Sequence, residues 1–266
     1  MIQDPRRGGL PLVGGLPESS FTALLRSFDL PPKWEALGGE GAHISAPEAT
    51  TILALRFADG VVMVGDRQAT DGYSIVHKRV QKVFPADRFT AVAVSGTAGL
   101  ALELVRLFQT ELEHYEKLEG SRLSIEGQAN HLGAMIRQHL PMAFQGLIVV
   151  PIFCGYEPLE QRGRLYAYDV VGGRYEEQDF AATGSGGREA KAYLRGSYQP
   201  EMPEDDALKV GMGALVAASE EDTATGGPDL RKGIYPNLIT ISGAGYQEVP
   251  EEQVARVARE VVEGTA

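Results

Sequence analysis

Residues 50–96 read TTILALRFADGVVMVGDRQATDGYSIVHKRVQKVFPADRFTAVAVSG, and this stretch decides the fold. Thr51–Phe57 and Val61–Val64 flank Asp59–Gly60, a pair that adopts the positive φ of a tight β-hairpin turn with little strain. A second such pair, Asp71–Gly72, follows, and Val80–Phe84 and Phe89–Val94 read as two further short strands. Val61–Val64 and Ala91–Val94 are apolar at every position, not at every second one. Strands of that kind are covered on both faces.

Working outward, the spacing predicts two helices after the strands. Between Gly99 and Gly120 the apolar positions 101, 104, 105, 108, 112 and 115 keep a stripe of about 3.6-residue period. Ser124 stands where it can cap a second helix, whose stripe runs through Leu132, Ile136 and Leu140 before Pro141. Strands return at Leu147–Tyr156, Arg164–Val170 and Tyr175–Ala182. A second helical pair, Arg188–Arg195 and Ala207–Ala218, precedes the strand Leu238–Ile241 and a closing helix near Glu251–Val262. Strands and helices come in groups and do not alternate, which disfavours a doubly wound parallel sheet. Two antiparallel sheets stacked face to face with helices outside, a four-layer αββα sandwich of the α+β class, explain both the grouping and the fully apolar strands.

Residues 1–49 differ in character. They are rich in Gly and Pro, show one brief helical patch at Phe21–Phe28, and read as a tail or removable prosegment ahead of a domain over residues 50–266. The whole chain of 266 residues is 43% hydrophobic and 23% charged, ordinary for a folded protein. Its net charge of −11 is a poor footprint for gripping nucleic acid or anionic lipid. The longest apolar run, Leu147–Cys154, is about half of a membrane span and contains Pro151. With no signal-peptide pattern and a single cysteine, Cys154, the reducing cytoplasm is the expected compartment.

His43, His77, His114, His131 and His139 fall in no metal-ligand spacing, so no metal is expected. The loop Thr183–Gly184–Ser185–Gly186–Gly187 lacks the lysine of a P-loop and the glycine pattern of a dinucleotide or hydrolase elbow. Its plain reading is a tight connection, though a nucleotide-binding α/β protein using Gly184–Gly187 remains an alternative. Cys154 reads as a small buried hydrophobe.

The register of residues 50–96 carries more. Asp66 (in Gly65–Asp66–Arg67), Lys82 and Gly96 (in Ser95–Gly96–Thr97) follow Thr50 by 16, 32 and 46 residues. With HYEKLEG at 114–120, Gly184–Ser185–Gly186, ATGGPD at 224–229 and GIYP at 233–236, this pattern resembles the β subunits of 20S proteasomes, which are N-terminal-nucleophile threonine peptidases. The last two stretches are most similar to the actinobacterial-type branch, and the likeness spans nearly all of residues 50–250.

The resemblance implies that residues 1–49 are removed and that Thr50 then attacks peptide bonds. A threonine hydroxyl needs a base within reach, and a free α-amino group, with a pKa near ~8, can be that base on the same residue. By resemblance Lys82 supplies a fixed positive charge, Asp66 orients it, and the Gly96 N–H faces the developing oxyanion. Ser185, Asp222 and Thr225 form the shell around the amine, with Gly226 adjoining; the family usually has Ser where this chain has Thr225. Thr70 matches the position whose backbone pairs with an extended substrate. Ala69, Val80, Phe84, Val94 and Ala98 match the first specificity pocket, and suggest apolar residues before the scissile bond. No cofactor is implied. The implied partners are α subunits and other β subunits in stacked heptameric rings, an ATPase ring and tagged unfolded proteins.

Each residue also has a plainer reading. Asp66 with Lys82 reads as a structural ion pair, Gly96 as a helix-entry turn, Ser185 as a loop hydroxyl, Asp222 with Thr225 as a helix end, and Thr50 as a strand-edge threonine. Their joint register behind a tail favours the peptidase. The family usually carries Gly before the nucleophile, where this chain has Ala49, whose Cβ narrows the turn self-cleavage needs. Slower maturation or a shifted cleavage point is the expectation. An unprocessed, catalytically silent ring subunit and a simpler bacterial protease without α partners remain alternatives.

Overall fold

Side chains of a strand point alternately to its two faces. In β1 (Thr51–Phe57) Ile52 and Ala54 face one way and Leu53 and Leu55 the other, yet all four are fully buried. A strand covered on both faces needs a layer on each side. The computed structural model describes residues 50–264 apart from Gly72, Tyr73 and Lys78, and it supplies both layers.

β1 pairs antiparallel with β2 (Gly60–Gly65), in register from Phe57↔Gly60 to Ile52↔Gly65; the expected hairpin forms, but its two turn residues are Ala58–Asp59, Gly60 already belongs to β2, and neither Asp59 nor Gly60 takes a positive φ. With β10 (Phe180–Gly184), β11 (Asn237–Ser242) and β12 (Gly245–Glu248) they form a five-stranded sheet ordered β10-β1-β2-β11-β12. A second five-stranded sheet follows chain order: β5 (Val83–Asp87), β6 (Thr90–Gly96), β7 (Val149–Glu157), β8 (Arg162–Tyr168) and β9 (Arg174–Glu177). Every pairing in both sheets is antiparallel. A short ribbon of β3 (Ala69–Asp71) and β4 (Ser74–His77) stands apart.

Ile52, Ala54 and Met63 of the first sheet meet Ala91, Ala93, Ile152 and Leu165 of the second in the central layer. Cys154 is buried in the same layer, and burial pushes its thiol pKa up, away from reactivity. On the outer face of the second sheet, Val92, Val94 and Phe153 pack on α1 (Ala98–Glu119) and α2 (Ile125–Gln138) through Leu104, Phe108 and Leu132. On the outer face of the first, Leu53, Leu55, Val62 and Val64 pack on α4 (Gly187–Ser197), α5 (Glu204–Glu221) and α6 (Glu251–Gly264). The result is the αββα sandwich. Among the described residues no helix is long and apolar enough to cross a membrane.

Three further local expectations are corrected. Tyr175–Ala182 is two strands, because the chain breaks at Gln178–Asp179 and carries β9 and β10 to different sheets. The strand expected at Val80–Phe84 begins at Val83, since the Lys82 N–H is given to the Asn237 side chain (3.1 Å) and not to a neighbouring strand. Pro141 does not end the helical region: it sits in the first turn of the short α3 (Leu140–Ala143), where its missing N–H is harmless. Ser124 caps α2 as expected, accepting the Gly127 N–H at 3.1 Å. Phe21–Phe28 lies outside the described residues.

The central and outer layers predict where stability resides. Phe153, fully buried against Phe108 and Tyr166, should cost about 3–5 kcal/mol when replaced by Ala. Leu159→Ala, at a side chain that is 93% exposed, should stay within about 0.5 kcal/mol of the parent when both variants are unfolded in urea.

Candidate active site

The first described residue, Thr50, enters β1 almost fully buried. Its carbonyl accepts the Ser185 N–H at 3.1 Å, which ties the start of β1 to the loop after β10. That closeness requires glycine at residue 184. Gly184 has φ +98°, and a Cβ there would lie 1.7 Å from the Thr50 carbonyl oxygen. Ala49, the other side of the expected cleavage point, lies outside the described residues.

Asp66 follows β2 directly and is wholly buried. Its Oδ1 accepts the Thr51 N–H at 2.9 Å and the Lys82 ammonium at 2.6 Å; its Oδ2 accepts the N–H groups of Gln68 (3.0 Å) and Gly226 (3.1 Å). Lys82, 4% exposed, also donates to the Gln68 carbonyl. Burial pushes the Lys82 ammonium below its ordinary pKa and the Asp66 carboxyl above its own, while their contact opposes both movements. Four donors aimed at two carboxylate oxygens hold Asp66 as an acceptor.

Lys82 and Thr50 line one small cavity of about 50 Å³. Its walls include four of the five expected specificity residues, Ala69, Val80, Val94 and Ala98, together with Gly96. Gln81, Ala101 and Leu102 complete it and had no reading as site residues from sequence. The fifth, Phe84, belongs instead to the layer between the second sheet and its helices. On β5 it alternates with Val83, which faces the central layer. Gly96, at the end of β6, has φ +105°, and a Cβ there would meet the Ile148 carbonyl oxygen at 2.1 Å. Thr70 lies on β3 opposite Ile75. A larger cavity, about 420 Å³ between Arg67, Arg79, Asn237 and Tyr246, does not include Thr50.

A second cluster stands beside the first. Thr225, 4% exposed, donates its hydroxyl to Asp222 Oδ2 at 2.5 Å, and Asp222 Oδ1 accepts the Ala224 N–H at 3.0 Å. Thr225 also touches the Thr51 hydroxyl at 2.6 Å, and Thr51 Oγ1 accepts the Gly186 N–H at 2.9 Å. The Ser185 side chain is exposed. Sequence reading missed Thr51, Gln68 and Asn237. For Thr51 a signal existed: it is the hydroxyl residue inside a strand that is otherwise apolar apart from Arg56. Gln68 acts through its backbone, which leaves no mark on residue type. Among the described residues no group of three or more His, Cys, Asp or Glu is gathered as for a metal ion.

The hydrogen-bond geometry predicts an asymmetry. Asp66→Ala removes the counter-charge of a buried ammonium and the acceptor of three backbone N–H groups, whereas Lys82→Met leaves Asp66 with those three amides as donors. Asp66→Ala should therefore be the more destabilising, by about 3–5 kcal/mol against the parent. Urea unfolding of both variants checks this; equal losses would contradict it.

Comparison with known proteins places the chain in a family. A family model described as "Proteasome subunit" matches residues 47–229. "Proteasome subunit beta" of Acidimicrobium ferrooxidans is 46% identical over 263 residues, covering 98% of this chain and 96% of that one. "Proteasome subunit beta" of Streptomyces griseus is 47% identical over 259 residues, covering 96% and 92%. The chain belongs to the proteasome subunit family, as a β-type subunit of the proteasome core.

Proposed function

We propose that this chain is a catalytic β subunit: an N-terminal threonine peptidase that hydrolyses peptide bonds of unfolded proteins. Residues 1–49 act as a propeptide whose autocatalytic removal at Ala49–Thr50 makes Thr50 the chain terminus. The observation that carries the reading is that Thr50 shares its cavity with Lys82, whose ammonium is clamped by buried Asp66 at 2.6 Å.

The freed α-amino group accepts the Thr50 hydroxyl proton as Oγ1 bonds to the substrate carbonyl carbon. Nucleophile and base share one residue, so little orientational freedom has to be lost on the way to the transition state. Lys82 holds a positive charge beside the hydroxyl and favours its deprotonated form; Asp66 keeps that charge in place. The carbonyl oxygen gathers negative charge toward the Gly96 N–H, a kind of donor worth about 3–4 kcal/mol in the transition state. When the C–N bond breaks, the leaving amine takes the proton held by the α-amino group, and an ester on Thr50 remains. Water then attacks the ester carbonyl carbon and gives a proton to the α-amino group of Thr50; the C–Oγ1 bond breaks, Oγ1 takes that proton back, and the acid leaves with the free hydroxyl restored.

Substrate lies extended along Thr70, with the side chain before the scissile bond in the cavity walled by Ala69, Val80, Val94 and Ala98. Those uncharged walls suit apolar residues. Ser185, Asp222 and Thr225 surround the amine, with Gly226 adjoining. The subunit works inside stacked rings of α and β subunits in the cytoplasm, and an ATPase ring feeds it tagged, unfolded protein. No cofactor takes part in the cycle.

In the assembled particle, Thr50→Ala should abolish peptide hydrolysis, a loss of at least about 10³-fold. Electrophilic peptides should modify the parent chain on Thr50 and leave the variant untouched. Hydrolysis that survives in Thr50→Ala would sink the assignment. Because burial lowers Lys82, its charge is lost at a lower pH than that of an exposed lysine. The alkaline limb of the rate profile should therefore have its midpoint below 10.5, the ordinary lysine value; a rate still flat at that pH would contradict the role given to Lys82.

A further inference from the structure

We infer that Thr51 is a positioning residue for the reaction at Thr50, because its hydroxyl is the central link of a one-way hydrogen-bond chain from the Gly186 amide through Thr225 to Asp222. The inference rests on the reading of Thr50 as nucleophile and goes beyond it, since that chemistry by itself asks for no hydroxyl at residue 51.

The direction of the chain follows from its ends. A backbone N–H can only donate, and Gly186 gives its N–H to Thr51 Oγ1 at 2.9 Å. At the far end Thr225 donates its hydroxyl hydrogen to Asp222 Oδ2 at 2.5 Å. A hydroxyl has one hydrogen, so the Thr225 oxygen accepts in its 2.6 Å contact with Thr51, and Thr51 donates. Both hydroxyl hydrogens are thus assigned. Thr51 is fully buried and Thr225 is 4% exposed, so water does not replace a missing link.

The backbone of Thr51 points the other way. Its N–H donates to Asp66 Oδ1 at 2.9 Å and its carbonyl accepts the Asp66 N–H at 3.1 Å. One residue, covalently next to Thr50, therefore ties the Lys82–Asp66 pair to the loop at Gly186 and the turn at Asp222–Gly226. It fixes where the nucleophile and its amine sit relative to both. It also occupies one of the two acceptor sites of the Thr225 oxygen, which leaves one for the amine. Without the Thr51 hydroxyl both sites are open to the ammonium form, and the amine becomes a free base only at higher pH. The charged groups facing the cluster are Asp66, Lys82, Asp222 and, on α4, Glu189, which senses Asp222.

The test compares Thr51→Val and Thr51→Ser in particles assembled with their ring partners, with mature chains counted by intact mass. Thr51→Val should lower kcat per mature chain at least about tenfold with KM changed less than about twofold. The acidic limb of its rate profile should move up by about half a pH unit. Thr51→Ser keeps the hydroxyl and should restore both. If Thr51→Val blocks maturation, the same measurements are made on chains whose Thr50 terminus is generated by an independently cleaved leader. Parent-like kcat and pH profile in mature Thr51→Val would overturn the inference, as would a defect that Thr51→Ser fails to rescue. Thr50→Ala, run alongside, separates the two claims: retained hydrolysis there defeats the nucleophile assignment itself.

Discussion

The site depends on one buried carboxylate. Asp66 accepts hydrogen bonds from the start of β1, from the segment after β2, from the turn that follows α5 and from the Lys82 ammonium. Removing a charge from water costs several kcal/mol unless the protein replaces the lost hydration. Here three backbone amides and one ammonium do so. Because each donor comes from a different segment, satisfying Asp66 fixes those segments against one another. The same bonds that make the charge tolerable therefore set the position of Lys82 in the cavity that Thr50 also lines.

The two sheets make that convergence possible. β1 and β2 are central strands, covered by the second sheet on one face and by α4, α5 and α6 on the other. Their ends are thus held from both sides, and polar groups emerge where the strands stop. Thr50 and Asp66 stand at such ends, and β10, paired with β1, carries the Gly184–Gly186 loop to the same place. The helix α5, packed on the back of β1 and β2, ends at Asp222 and delivers Thr225 and Gly226. Residues 174 positions apart, Thr51 and Thr225, meet because strand and helix share one hydrophobic layer.

Much of this is legible in the sequence. The apolar runs Val61–Val64 and Ala91–Val94 announced strands covered on both faces, and the grouping of strands and helices excluded an alternating sheet. The register singles out Thr50, Asp66, Lys82 and Gly96 as candidates, and the β1–β2 hairpin brings the first two to one end of the sheet. Other features depend on contacts with no local signature. The break at Gln178–Asp179 is polar and short, so Tyr175–Ala182 reads as one strand although its halves join different sheets. Phe84 matches a pocket position by resemblance, but strand alternation turns it to the helix side. Lys82 leaves the strand pattern because Asn237, far along the chain, takes its N–H. Gln68 contributes a carbonyl, which every residue has. Thr51 was visible as a hydroxyl in an apolar strand, yet its role appears only when Thr225 and Gly186 are brought beside it.

The central claim is that Thr50 becomes a free terminus and acts as nucleophile and base together. Intact mass and N-terminal sequencing of this chain, taken from particles assembled with its native partners, test it most directly. The account predicts a mature chain that begins Thr50–Thr51–Ile52. A full-length chain persisting in the assembled particle, with the Ala49–Thr50 bond intact, would contradict it and leave a structural ring subunit.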